Sequence, residues 1–162
     1  MIKTYRQGAI GALLDEYERA ITDLLYTITD ISADELVRIV DDKTTDPRCR
    51  SVQTILSHVV SSGYNYTLYI RQVLGENVKF TSDIFHPAVK DYEGDLNDVF
   101  SFTEDTFNNI REDQVEQFDD GKKIHTRWGQ AYDIEQITEH AIVHILRHRR
   151  QIEKFKTILR AH

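Results

Sequence analysis

The sequence predicts an all-α protein: a four-helix bundle with a long crossover between helices 2 and 3, plus a small β-hairpin before the last helix. Four long segments carry apolar residues three and four positions apart, the spacing that gives a helix one buried face. The two prolines, Pro47 and Pro87, lie outside these segments, so no helix is interrupted. With 162 residues and no internal repeat, the chain is predicted to form a single domain over residues 1–162.

The chain begins with a long amphipathic segment. A helix is predicted over roughly residues 4–29, where the apolar side chains share one face. A short helix should follow, because Ser32 and Glu35 have the spacing of a capping box. The polar stretch 41–50 is then predicted to be a loop.

The middle of the chain contains two helices and the crossover. Helix 2 is predicted over roughly residues 51–74, with Ser51 as its N-cap and Gly75 as its stop, and helix 3 over roughly residues 95–111. About nineteen extended residues, 76–94, reach about 60 Å, whereas a helix of about 24 residues is about 36 Å long. The connection can therefore cross the whole bundle and leave helices 2 and 3 parallel.

The last third of the chain is predicted to hold the hairpin and the longest helix. Asp120 and Gly121 stand between two short runs that contain apolar residues, which predicts a hairpin turn. The last helix is predicted over roughly residues 133–160, because Asp133 and Gln136 form a second capping-box pattern.

Composition excludes several functional classes. The net charge is −7, with 20 Lys and Arg against 27 Asp and Glu, which argues against a nucleic-acid partner. A single cysteine, Cys49, excludes an internal disulfide and a cysteine-rich zinc site. No signal peptide and no membrane-spanning run are recognised, so a cytoplasmic protein without a membrane partner is expected.

The last helix carries three histidines four residues apart, His140, His144 and His148, among Ile, Val, Leu and Arg. Residues four apart differ by about 40° around a helix and about 6 Å along it, so His144 and His148 are neighbours on one face. Both occupy the apolar stripe, where imidazoles without partners are costly to bury. Three explanations are open: a metal site, a general acid/base cluster, or ordinary packing.

A metal site needs at least one further ligand. His58 is the best candidate, because it lies on the inner side of helix 2 beside Val59. Three neutral imidazoles with an open position are the arrangement of a catalytic metal site. His140 lies at the edge of the stripe, about 80° around the helix from His148, and is expected not to be a ligand.

The remaining histidines are expected to lie outside the site. His86 is predicted to lie in a loop, because Pro87 follows it. His125 is predicted to belong to the hairpin, and His162 is expected to be disordered at the chain end. Residues 140–144 read H-A-I-V-H, without the glutamate of the H-E-x-x-H zinc proteases. The sequence therefore names no catalytic base.

A family resemblance rests on His58 in helix 2 and on the H-x-x-x-H-R-x-Q pattern made by His144, His148, Arg149 and Gln151. With these residues the chain resembles the DinB-like proteins, which are four-helix bundles with a long crossover after the second helix. The resemblance covers essentially the whole chain in helix order and length. It implies a metal site at His58, His144 and His148.

The resemblance also implies a chemistry. Relatives of the fold include S-transferases that use low-molecular-weight thiols and a thiol-dependent maleylpyruvate isomerase. The expectation is a metal-dependent enzyme of the thiol S-transferase type, or a related hydrolase or isomerase, acting on a small-molecule substrate as a homodimer. Its cofactors would be Zn²⁺ or Ni²⁺, with Fe, Mn or Cu as alternatives, and a small thiol whose carboxylate Arg149 or Arg150 could hold. The alternative is a non-catalytic metal-binding, dimerising protein of the same fold.

Overall fold

The computed structural model describes residues 4–161, so the expectation for His162 lies outside the described residues. Helices make up most of these residues, which confirms the all-α class. The elements, in chain order, are α1 (Gly8–Ile28), α2 (Ala33–Val37), α3 (Val52–Val73), α4 (Val89–Phe107), β1 (Ile124–His125), β2 (Ala131–Tyr132) and α5 (Ile134–Arg160). Within residues 4–161, no helix combines the length and apolar character needed to cross a membrane.

The helix starts follow from local capping chemistry. Ser32 caps α2 and receives the backbone N–H of Glu35, whose carboxylate accepts the backbone N–H of Ser32 in return. Asp133 and Gln136 form the same reciprocal box at the start of α5. Both predicted capping boxes are confirmed, and Ser51 is confirmed as the N-cap of α3. Each box satisfies backbone donors that the first helical turn leaves without partners.

The four long helices pack around one apolar core. Helix α1 contacts α4 and α5, and α3 contacts the same two helices. Fully buried side chains come from each of the four long helices and from α2: Leu24, Ile28, Leu36, Ile55, Leu56, Leu96, Ile137 and Ile152. Because α3 and α5 are direct neighbours, histidines on their inner faces can meet.

Helices α3 and α4 approach closely at a glycine. A Cβ added to Gly63 would lie 2.6 Å from Cγ1 of Val99, so only a residue without a side chain fits there. One turn further along, the hydroxyls of Thr67 and Thr103 are hydrogen-bonded at 2.9 Å and both are buried. The close packing holds α3, and therefore His58, in a defined position.

The predicted helix 3 corresponds to α4, and its predicted bounds are wrong. Helix α4 begins six residues before residue 95 and ends four residues before residue 111. Tyr92 is fully buried one turn before Leu96, so the apolar face starts within the segment assigned to the connection. The hydroxyl of Tyr92 is hydrogen-bonded to Ser57 Oγ of α3 at 2.7 Å. Asp95 does not cap the helix, and its carboxylate instead lies 2.7 Å from Nε2 of His86.

The connection between α3 and α4 is correspondingly shorter, residues 74–88 instead of 76–94. Gly75, which was predicted to end the helix before this connection, is its second residue and has φ +97°. About fifteen extended residues still reach about 50 Å, more than the roughly 33 Å length of α3. The length needed for a crossover is therefore retained.

A small β-hairpin does precede the last helix, as predicted, but its turn is not at Asp120 and Gly121. Those residues lie in a short 3-10 helix before β1, where Asp119 Oδ1 accepts the N–H of Gly121 at 3.0 Å. The strands turn at residues 126–130, and Gly129 supplies the positive φ of +84°. The carboxylate of Asp119 thus stabilises a local turn at Asp120 and Gly121, and this turn replaces the predicted hairpin turn there.

Candidate metal centre

Three histidine side chains converge between α3 and α5. His58 comes from α3, and His144 and His148 come from successive turns of α5. Nε2 of His144 lies 3.0 Å from Nε2 of His58 and 3.2 Å from Nε2 of His148. One ring nitrogen from each of the three residues falls within a 4.8 Å cluster. The structure thus brings together the three residues that the sequence singled out.

The spacing of these nitrogen atoms suits a divalent cation. Imidazole nitrogens bind Zn²⁺ at about 2.0–2.1 Å, so two of them at angles of about 90–110° are about 2.9–3.4 Å apart. The 3.0 and 3.2 Å separations fall within this range. The cluster could therefore hold one divalent metal ion beside the cavity that the same three histidines line.

The opposite ring nitrogens are held by partners that orient the imidazoles. Nδ1 of His148 lies 3.0 Å from Oε1 of Gln151, an acceptor, so Nδ1–H donates the hydrogen bond and the lone pair is on Nε2. Nδ1 of His58 lies 3.2 Å from the hydroxyl of Ser62 on the next turn of α3. Such partners fix ring orientation and tautomer in metal sites.

All three imidazoles are neutral at neutral pH. Burial, reinforced by the nearby Arg48 and His148, lowers the pKa of His58 to about 4. Burial, followed by the other imidazoles, lowers the pKa of His144 to about 2. Burial also lowers the pKa of His148. Neutral imidazole is the form that binds a metal, so the cluster needs no deprotonation near pH 7.

His140 does not join the ligand-like cluster. Its ring stacks on Trp128 at 5.5 Å with an interplanar angle of 26°, and its Nδ1 lies 3.3 Å from the hydroxyl of Tyr132. His140 therefore connects the hairpin to α5. That it is not a ligand stays a prediction.

The other two described histidines are also apart from the cluster. His86 lies in the connection before α4, as predicted, beside Asp95. His125 lies in β1, and its Nε2 is 3.1 Å from the carbonyl oxygen of Asp120. Neither residue can contribute a ligand to the same ion.

A cavity of about 480 Å³ opens beside the histidine cluster. One wall is aromatic and consists of Tyr66, Tyr69, Phe80 and Trp128. A cavity of similar volume, about 470 Å³, lies between the end of α3 and the hairpin but contains no histidine. The cavity beside the cluster is the candidate substrate site, because the groups with shifted pKa values converge there.

Charged side chains line the same cavity. Arg48 and Asp46 form an ion pair, with Nε of Arg48 2.9 Å from Oδ1 of Asp46, and this pair lowers the pKa of Asp46. Arg127 lies over the ring of Phe80, 4.3 Å from its centroid. Arg147 borders the cavity from α5.

Sequence reasoning missed most of this charged lining and chose the wrong arginine on α5. Arg149 points towards α1, where Nη1 lies 3.1 Å from Oδ2 of Asp23, and it also pairs with Glu153. The expectation that Arg149 or Arg150 holds a substrate carboxylate is therefore wrong, since neither lines the cavity, whereas Arg147 does. The helical step of about 100° per residue could have shown that Arg149 leaves the face of His148.

No family model matches the chain, and neither the curated proteins nor the solved structures contain a match to it. What the site can do is inferred from its own residues.

Proposed function

We propose that this protein binds one divalent metal ion through His58, His144 and His148 and acts as a metal-dependent enzyme of the thiol S-transferase type. The observation that carries the proposal is the convergence of three Nε2 atoms beside a cavity. Zn²⁺ and Ni²⁺ are the proposed metals, because both accept imidazole ligands.

The chain's own residues suit a thiol substrate. A bound divalent metal favours the thiolate form of a thiol that enters the cavity. Three neutral histidines add no negative charge, so the full cationic charge would act on the substrate. The rings of Tyr66 and Trp128, which contact each other, give one side of the cavity an apolar surface.

We further propose that the fold is a four-helix bundle of the DinB-like kind. The cyclic packing of α1, α4, α3 and α5 supports this proposal, as does the long connection after α3. The order of the histidines, one on α3 and two on α5, fits the same family pattern.

A non-catalytic metal-binding role is the second candidate, and one observation favours it. Asp46 is the acidic side chain that lines the cavity, and its pairing with Arg48 lowers its pKa. A carboxylate stabilised in this way is a poor proton acceptor near neutral pH. The cavity thus lacks a carboxylate that could serve as a strong general base among its described residues.

The metal assignment is tested by single substitutions. His58→Ala, His144→Ala and His148→Ala should each lose bound metal by elemental analysis, whereas His140→Ala and the hairpin control His125→Ala should retain it. Circular dichroism checks that each variant is folded. Full metal occupancy in both α5 variants would rule out the site. Loss of metal in His140→Ala but not in His58→Ala would reassign the third ligand.

The catalytic assignment is tested with the Co²⁺-loaded protein. Titration with small thiols should produce a sulfur-to-metal charge-transfer band, which should be absent from His148→Ala. If fully metallated protein shows no band with any thiol, the non-catalytic role is the correct one.

A further inference from the structure

The charge around the cavity is opposite in sign to the charge of the chain. The protein carries a net charge of −7. Three arginines but one acidic residue line the cavity beside the histidines: Arg48, Arg127, Arg147 and Asp46. A locally positive cavity in an acidic protein attracts anions to that place.

Two of the three arginines are available to a ligand. Arg48 is neutralised by its ion pair with Asp46. The ion pairs among residues 4–161 include neither Arg127 nor Arg147. No carboxylate within ion-pair distance therefore offsets the charges of these two cavity residues.

Arg127 is held in position before any ligand arrives. Its backbone N–H donates to the hydroxyl of Tyr69 at 3.0 Å, which fixes the hairpin against α3. Its guanidinium stacks over Phe80, with Cζ 4.3 Å from the ring centroid, so the ring covers one face of the guanidinium. A planar fork of this kind suits bidentate binding of an anionic group.

We propose that the cavity binds a small organic anion, whose carboxylate or tetrahedral oxyanion is held by Arg127 and Arg147 while its other end reaches the histidine cluster. The volume of about 480 Å³ fits a small-molecule ligand. This inference rests on the proposed function, because the metal at the cluster supplies the second point of attachment. A nucleic acid is not the ligand, because the net charge of −7 repels a long polyanion.

Three thiols with the same reactive group but different charge provide the test. They are 3-mercaptopropionate, its uncharged methyl ester, and 2-mercaptoethanesulfonate, whose anionic group is tetrahedral. Binding is followed by the side-chain Nε–H NMR signals of Arg127 and Arg147, without metal and with Co²⁺, and by the cobalt spectrum. The two anions separate a carboxylate preference from a tetrahedral one.

The arginine signals should shift saturably with at least one anion and not with the ester. Arg127→Gln and Arg147→Gln should each weaken anion binding at least about tenfold, because each removes a charged donor group, with metal content unchanged. Arg150→Gln is the matched control on α5, since Arg150 is exposed outside the cavity, and it should bind like the parent protein.

Equal affinity for the acid and its ester, or unchanged anion binding by both cavity variants, would overturn the inference. The two proposals fail separately. Anion-dependent arginine shifts in protein that takes up no cobalt would support the anion site and remove the metal site. Cobalt uptake with equal affinity for the acid and its ester would support the metal site and remove the anion site.

Discussion

Oε1 of Gln151 lies 3.0 Å from Nδ1 of His148, three residues earlier on α5. The contact fixes the imidazole so that its Nε2 faces His144. A residue that never reaches the metal can in this way decide how well the metal is held.

Replacing Gln151 with leucine should therefore weaken metal binding by about 10–100-fold, because the ring of His148 loses its hydrogen-bond acceptor. Gln151→Glu keeps an acceptor at the same place and should largely retain the affinity. Competition with a chromophoric chelator measures both variants. Equal affinity of Gln151→Leu and the parent protein would show that the contact is unimportant for the metal.

Metal binding should persist to a lower pH than the pKa of an ordinary histidine would allow. The ordinary histidine pKa predicts loss below about pH 6, but the pKa of His58 in the folded protein is about 4 and that of His144 about 2. The pKa of His148 is also lowered, so protonation should compete with the metal only below the ordinary histidine pKa, and affinity should fall as the pH drops from about 6 towards 4. Chelator competition across this range gives the profile, and a midpoint at pH 6 would contradict it.

The metal-free protein should itself lose stability in the same window. The pKa of His58 is lower in the folded state than the unfolded value of about 6.5, so the unfolded chain binds more protons between about pH 6.5 and 4. The free energy of unfolding is therefore highest above pH 6.5 and decreases as the pH falls. His58→Gln should flatten this part of the curve in urea denaturation, and an unchanged slope would argue against a neutral buried imidazole.

The close contact of α3 and α4 predicts opposite effects for two glycine substitutions. Gly63→Ala should lower the free energy of unfolding by about 1–3 kcal/mol, because its methyl group would overlap the buried Val99. Gly94→Ala in α4 has open space around its Cβ and should raise stability by about 0.4–1 kcal/mol. Thermal denaturation compares the two directly. Stabilisation by Gly63→Ala would mean that α3 and α4 can move apart at little cost.

Ion pairs that join the end of α5 to Asp30, before α2, and to Glu35, within α2, predict a second acid-sensitive region. Lys156 and Arg160 lower the pKa of Asp30 to about 2, and Arg160 lowers that of Glu35 to about 2. Because these values lie below the unfolded ones of about 4, the stabilisation is present above about pH 4 and lost as the pH falls towards 2. Arg160→Gln should be less stable than the parent protein at pH 7, with a difference that shrinks below pH 4. Arg150→Gln serves as control, and a pH-independent difference would refute the assignment.

Periodicity and caps were sufficient to predict most of the helices. The capping pairs at Ser32 and Asp133 depend on neighbouring residues alone, and both form as expected. The predicted start of α4 was wrong, because the residues around Tyr92 are polar and Tyr92 was not assigned to the same buried face as Leu96. Local polarity is a weaker signal than the position of a single large apolar side chain one turn away.

The histidine cluster was predictable because its members lie on regular helices, where spacing determines direction. The charged lining was not, since Asp46 and Arg127 lie in loops and Arg48 in a three-residue 3-10 helix, which are too short to show a period. The position of Arg127 depends on Tyr69, which is 58 residues away in the chain. Contacts of this kind arise only from tertiary packing.

His58 and His144, on the two helices that carry the three histidines, are 86 positions apart in the chain. An ion bound there would act as a removable cross-link that closes this long loop in the folded protein. Adding metal should therefore raise the melting temperature in proportion to the logarithm of its concentration above the dissociation constant, and a chelator should reverse the change. It should also slow the local opening of α5 away from α3, so that hydrogen exchange along the inner face of α5 reports directly on metal occupancy.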